Sequence, residues 1–426
     1  MNQNSVEVKA TSRVLFIDMN SYFARCEQQA NYWLRNRPVG VCVYTGKYGC
    51  VISLSTEAKA RGLKAGMRLN DAMAVCPDLV PVESNPERYR EYHKKIIQVL
   101  QGYCKDVVAK SIDEAIINLG HYDHLDPLTI AKQIKQDILD KVGDWLTCSI
   151  GIAPNAFLAK LASVRGKKLD GLLMITPQNI DDILRPLKLG DMPGIGGNMS
   201  YRLERAGINT PLEMRYAGPD RLKTIFKGIE GIYWHYRLNF IETNIAAHDY
   251  RGMQAMRQIS AEKRQYISYI EQLFMTLCLT LEKRMVSHKF YCKSVGFTAM
   301  YADGTRWDDA FTISTPFQDA ISLMQMIRVR MGKFEQLTGA PPVLNTQITS
   351  MRVAVTNFVN NGNMLYSLFE DMERKETAFK TMHEIKDKFG SDKLIRAIEM
   401  TDGKVIKDVI GFGSVKDLTE LDYKAV

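Results

Sequence analysis

The sequence predicts an α+β protein of several domains, and three observations predict it. Apolar strand-like runs alternate with amphipathic helical stretches up to about residue 170; short glycine-punctuated helices fill residues 177–240; and the order β-α-β-β-α-β runs from residue 256 to 355. With 426 residues the chain exceeds one ordinary core, and length alone points to roughly three domains.

The first strand is Val14 to Ile17, a continuous apolar run, followed by N-cap chemistry at Asn20 and Ser21 for a helix reaching Trp33. Residues 38–53 alternate apolar runs with Gly46 and Gly49, as paired short strands do. Glu57 to Arg61, stopped by Gly62, reads as a helix, so the segment forms a small inserted subdomain. A helix follows from Pro86 to Tyr103, with Tyr89, Tyr92, Ile96 and Leu100 on one face. Residues 106–119 read as two strands joined near Ser111, residues 129–141 as a helix, 147–152 as a strand and 155–164 as a helix. Gly194, Gly196, Gly197, Gly207, Gly218, Gly228 and Gly231 punctuate the helical module. After an aperiodic linker near 243–252, strands at 256–264, 291–300, 306–313 and 346–355 enclose helices at 267–285 and 317–333. Beyond Asn360 the chain is polar and helix-prone from Phe369 to Phe389.

Composition narrows the class. A formal charge of +8 favours a polyanionic partner without naming it. The eight cysteines form no C-x-x-C pair, which argues against a zinc site or a disulfide framework. No apolar run is long enough to cross a bilayer, and a cytoplasmic location is expected.

Chemistry concentrates in three carboxylates at strand ends: Asp18 after the first strand, and Asp113 and Glu114 within Ser111-Ile112-Asp113-Glu114. Two divalent ions about 3.5–4 Å apart serve phosphoryl transfer when near-bridging carboxylates hold them. Adjacent residues of a flat strand face opposite ways, so Asp113 and Glu114 converge only if the backbone turns there. An all-oxygen set suits Mg²⁺. Spacing alone leaves open the alternative of solvated strand ends.

The segment Asp18 to Ala24 (DMNSYFA), with Ser111 to Glu114 (SIDE) and Gly49 to Ile52 (GCVI), closely resembles the Y-family translesion DNA polymerases, particularly the UmuC-like and DinB-like bacterial branch. Ala58 to Gly62, Tyr89-Arg90, Ser149 to Ala153 leading to Leu158 to Ala162, and Pro193 to Gly196 extend the resemblance over most of the chain. It implies a right-hand polymerase: palm at 1–26 and 77–170, small fingers at 27–76, a helical thumb with a helix-hairpin-helix at 171–242, a linker at 243–253, a β-α-β-β-α-β little finger at 254–358 and a tail at 359–426. The implied reaction is DNA-template-directed, low-fidelity DNA synthesis across damaged bases, with two Mg²⁺ ions as cofactor and primer-template DNA and dNTPs as partners.

Residue by residue, the resemblance assigns the metals to Asp18, Asp113, Glu114 and the carbonyl of Met19, and makes Phe23 the steric gate against a ribose 2′-hydroxyl. On its own, Phe23 reads first as a core phenylalanine of the helix beginning at Asn20. Triphosphate binding is expected from Ser21, Tyr22, Phe23, Ser53, Lys59 and Lys167, the backbone N–H groups at the helix start contributing as orphan donors. Many members have Thr, Tyr and Arg where this chain has Ser53, Thr56 and Lys59, which removes a phosphate contact and replaces a bidentate fork by a point charge. Without the resemblance, Lys59 is a solvated helix lysine and Lys167 part of a basic loop. Gly194 and Gly196, in a helix-hairpin-helix signal, are expected to bring backbone N–H groups to a DNA phosphate. Lys289 and Lys293, with Arg257, Lys263 and Arg306, are placed for duplex backbone, the alternative being edge-strand lysines that prevent aggregation. Leu365, Leu368 and Phe369 resemble a bacterial sliding-clamp-binding peptide with leucine at its glutamine position; packing of the following helix is the alternative. A noncatalytic polymerase-like adaptor and a two-metal nuclease are the rival functions, and intact carboxylates and the inserted subdomain argue against them.

Overall fold

The computed structural model of the chain describes residues 11–46, 49–122, 124–243, 251–360, 372–389, 394 and 396. They fall into two compact units, one ending at Thr243 and the other starting at Arg251.

In the first unit, β1 (Val14–Met19) is buried along its whole length, as its apolar run requires. It leads into α1 (Tyr22–Ala30), which stops short of the expected Trp33. Asn31 is extended there, and its side chain accepts from the Trp33 N–H to start a separate 3-10 turn. The inserted subdomain contains β2 (Val39–Cys42), β3 (Val51–Leu54), α2 (Thr56–Ala60), α3 (Leu69–Val75) and β4 (Val80–Glu83). β2 and β3 pair antiparallel, as the alternation predicts, but β4 adds in parallel to β2. The small sheet therefore extends past residue 76; Pro81 disguised β4 in the sequence and is tolerated because β4 is an edge.

Next come α4 (Pro86–Gln101), β5 (Val107–Ala109), β6 (Glu114–Asn118), α5 (Pro127–Lys141), β7 (Cys148–Ala153), α6 (Ala156–Gly166) and β8 (Leu172–Met174). Asn85, Asp126 and Asn155 cap the three helices by accepting N–H groups of their first turns. The five strands order as β5-β6-β1-β7-β8, with β1 antiparallel to both β6 and β7. Alternation along β1 sends Leu15 and Ile17 into a core shared with α4 and α5, and Val14 and Phe16 into one shared with α6. Asp18 and Glu114 are even-numbered like Phe16 and Ile116, so the α6 side of the sheet receives them. α6 lies on β7 at Gly151, where an added Cβ would meet Ala159 O at 2.0 Å and Ser163 N at 2.2 Å; only glycine permits that approach. Five short helices, α7 (Ile180–Leu184), α8 (Gly197–Arg205), α9 (Pro211–Tyr216), α10 (Pro219–Phe226) and α11 (Glu230–Leu238), close the unit around Trp234 and Leu203.

The second unit contains β9 (Gly252–Gln258), α12 (Ile267–Ser287), β10 (Phe290–Tyr301), β11 (Arg306–Phe317), α13 (Ala320–Thr338) and β12 (Ile348–Asn360), in the expected β-α-β-β-α-β order. Its sheet runs β11-β10-β12-β9. β9 begins at Gly252 rather than Met256: the alternation that packs involves Met253 and Ala255, while Met256 is 51% exposed. A last helix, α14 (Met372–Phe389), belongs to this unit, and His383 and Arg396 both hydrogen-bond the buried Glu282 of α12. All eight cysteines are free, and among the described residues no helix is long and apolar enough to cross a membrane.

Candidate active site

The three carboxylates are gathered by the centre of the five-stranded sheet. Asp18 is the register partner of Glu114, and the Met19 N–H donates to the Asp113 carbonyl at 2.9 Å. Ser111 and Glu114 exchange backbone hydrogen bonds of 3.2 and 3.4 Å, closing a tight hairpin with Ile112 and Asp113 at its tip. This turn lets two consecutive carboxylates approach one region, as a flat strand would not. Ser111 Oγ donates to Asp113 Oδ1 at 2.6 Å, and Ile112 is fully buried. His93 of α4, also buried, donates from Nδ1 to the Ile112 carbonyl at 2.8 Å and fixes the tip from behind.

α6 brings two lysines to this edge. Lys160 Nζ lies 2.8 and 3.0 Å from the two Glu114 oxygens, and Lys167 Nζ lies 3.0 Å from Asp18 Oδ1. Burial pushes the Asp18 and Glu114 carboxyls above their ordinary range, and Lys167 and Lys160 respectively pull them back. As they stand, no three acidic, histidine or cysteine side chains among the described residues are disposed to hold a metal ion. The donor set is nonetheless all oxygen, on adjacent strand ends, and of the kind hard divalent cations take. Lys160 was not singled out in the sequence; its place inside an apolar helical run gave no signal beyond being a lone charge there.

Phe23 faces inward from α1 and is buried, its ring stacked on Tyr89 at 4.4 Å and 14°. Tyr89 donates its hydroxyl to Glu27 at 2.8 Å, Arg88 pairs with the same carboxylate, and Tyr22 donates to the Tyr89 carbonyl at 2.7 Å. The phenyl ring is therefore backed by a held tyrosine rather than by soft aliphatic packing.

Ser21 does not cap α1 through its side chain, as the sequence suggested; it is left-handed at φ 51°, and Lys59 donates to its hydroxyl at 2.8 Å. Ser53 Oγ accepts the Ala24 N–H at 3.4 Å. The structure thus joins Ser21, Tyr22, Phe23, Ser53 and Lys59 at the start of α1, with Lys167 linked through Asp18. Burial lowers the Lys59 ammonium, and repulsion from Lys167 and Arg25 adds to it.

Gly194 adopts φ +94°, and Gly196 is the extended N-cap of α8. In the second unit, Lys289 turns the chain into β10 with φ 56°, and Lys293 sits at the register shift between Cys292 and Ser294. Arg352, overlooked in the sequence because it interrupts an apolar strand, bonds Thr298 Oγ1 at 2.9 Å. Leu365, Leu368 and Phe369 lie outside the described residues.

Comparison with known proteins adds three findings. Residues 17–164 match the impB/mucB/samB family and residues 257–368 its C-terminal domain. The DNA polymerase IV of Bacillus velezensis is 28% identical over 93% of this chain and 94% of its own length, and that of Sulfurisphaera tokodaii is 31% identical over 53% of this chain, which spans 64% of that relative. A Y-family DNA polymerase chimera of Dbh and Dpo4 superposes with a TM-score of 0.68 at 21% identity, covering 82% of this chain and 99% of the chimera. At that identity the last likeness speaks for the fold.

Proposed function

The chain belongs to the impB/mucB/samB family of Y-family DNA polymerases, and from that membership we propose how its site works. The reaction is template-directed addition of dNTPs to a primer 3′-hydroxyl, at low fidelity and past damaged template bases. Asp18, Asp113, Glu114 and the Met19 carbonyl would hold two Mg²⁺ ions, whose chemistry is to activate the primer hydroxyl and neutralise charge at the α-phosphate. The N–H groups of Tyr22 and Phe23 at the α1 start, with Ser21, Ser53, Lys59 and Lys167, orient the triphosphate. Phe23, stiffened by Tyr89, lies under the sugar and excludes a 2′-hydroxyl. Gly194 and Gly196 offer backbone N–H groups to a DNA phosphate, and Lys289 and Lys293 neutralise duplex backbone. A sliding clamp would engage residues 365–369.

One observation carries the reading: Asp18 and Glu114 are paired in register, with Asp113 at the adjoining hairpin tip, one residue-pair away from a helix start lined by Ser21 and Lys59. Primer extension tests it. Template-directed addition that vanishes in Asp113→Ala supports a polymerase; shortening of the primer indicates a nuclease; and wild-type protein that binds DNA without extending it indicates an adaptor.

A further inference from the structure

Arg25 is the one residue of the α1 face that neither the sequence nor the carboxylate geometry accounts for. It follows the N-cap Ser21 by four residues, and its N–H donates to the Ser21 carbonyl at 3.0 Å. Thr56 and Lys59 lie on one side of α2. The two helices meet: Lys59 Nζ contacts Ser21 Oγ at 2.8 Å, and Arg25 Nη2 donates to Thr56 Oγ1 at 3.1 Å. The guanidinium of α1 and the ammonium of α2 thus bridge the same two helices, Lys59 at the α1 start and Arg25 one turn further along.

The pairing of Arg25 is incomplete in a telling way. Arg25 and Arg35 lie over the same Trp145 ring, at 5.2 and 5.0 Å. Arg35 is met by both oxygens of Asp144 at 2.8 Å. Among the described residues, Arg25 hydrogen-bonds only the neutral Thr56 hydroxyl, and its buried Nε has no hydrogen-bond partner. Glu57 attracts Arg25 at longer range and accepts a hydrogen bond from Gln28. A cation over an indole ring, near Lys59 and with no carboxylate hydrogen-bonded to it among the described residues, is suited to an incoming polyanion.

We infer that Arg25 is a triphosphate ligand, contacting the β- or γ-phosphate of the incoming nucleotide with the fork that Lys59 lacks. This assignment rests on the polymerase reading and names a further residue of the same site.

The test compares wild type, Arg25→Gln and Arg25→Lys in steady-state primer extension, with inorganic tripolyphosphate as competitor. Arg25→Gln should raise the dNTP KM and the tripolyphosphate inhibition constant together by roughly tenfold, the worth of one charge-assisted hydrogen bond. Affinity for primer-template and the melting temperature should be unchanged, which a merely structural role would not spare. Unchanged KM and unchanged tripolyphosphate inhibition overturn the assignment. Should Arg25→Gln fold poorly, Arg25→Lys decides: a smaller rise, roughly threefold, is expected because the charge survives and the fork does not, and an unchanged KM refutes it. If wild-type protein extends no primer, the polymerase reading fails by itself. Calorimetric binding of tripolyphosphate to the free protein then still judges Arg25, weaker binding in Arg25→Gln supporting it and equal binding overturning it.

Discussion

Acidification should loosen the tip of the carboxylate hairpin through His93. The imidazole is buried among the α4 core residues, and that burial brings its pKa from 6.5 down to about 4 and holds it neutral in the folded chain, against the Ile112 carbonyl, whose hydrogen bond from Nδ1 favours the charged form. An unfolded chain takes up that proton first as pH falls. The stabilisation is therefore whole above about pH 6.5, shrinks as pH falls toward about 4, and is fully lost below it. Over that window the loss amounts to about 3 kcal/mol. Asp18 and Glu114, whose carboxyls are pushed up by burial, act with the opposite sign, so total stability alone does not isolate the histidine. His93→Asn does: its amide can donate to the same carbonyl but does not titrate. Urea denaturation of both proteins from pH 8 to pH 4 should show wild type losing about 3 kcal/mol more than the variant. Parallel stability curves for the two would refute the claim that a neutral imidazole holds the hairpin.

Three further outcomes follow from named contacts. Gly151→Ala places a Cβ on the backbone of α6 and should cost about 3 kcal/mol by overpacking while lowering extension activity, measured by denaturation and primer extension on one sample; full activity in a stable variant would contradict the packing. Phe23→Ala should raise ribonucleotide incorporation at least roughly tenfold, read by alkali-sensitive product, and unchanged sugar selectivity would remove Phe23 from the gate. His383→Ala with Arg396→Ala leaves Glu282 buried with, among the described residues, only the Ala320 N–H as a hydrogen-bond partner and should destabilise the second unit by about 3 kcal/mol, with faster proteolysis within α14; an unaltered cleavage rate argues against the anchor.

Much of the architecture was legible because periodicity and punctuation agreed. The apolar run before Asp18 and the β-α-β-β-α-β order each exclude other arrangements of the same residues. Where local pattern and packing diverged, the reading slipped. Pro81 hid an edge strand, Met256, taken as the start of a strand, proved to lie on the open side of β9, and Asn31 broke a helix whose composition continued. The carboxylates were visible because they interrupt apolar strands. Lys160, His93 and Arg25 were not, since each sits on a helix and meets a partner that lies far away in sequence. Tyr89 was noticed as part of a motif, yet its duty as the backing plate of Phe23 depends on a ring stack that only three dimensions supply.

The bare Gly151 also works as a register pin. Its neighbours on β7 carry side chains, so the backbone of α6 can come closest to the sheet at that one notch, opposite Ala159 and Ser163. Sliding the helix by one turn would carry its lysines about 5.4 Å along the sheet edge, out of reach of the carboxylates they now meet at 2.8 and 3.0 Å. A missing methyl group in the middle of the strand thus sets, like the zero mark on a ruler, where two charges stand at its end.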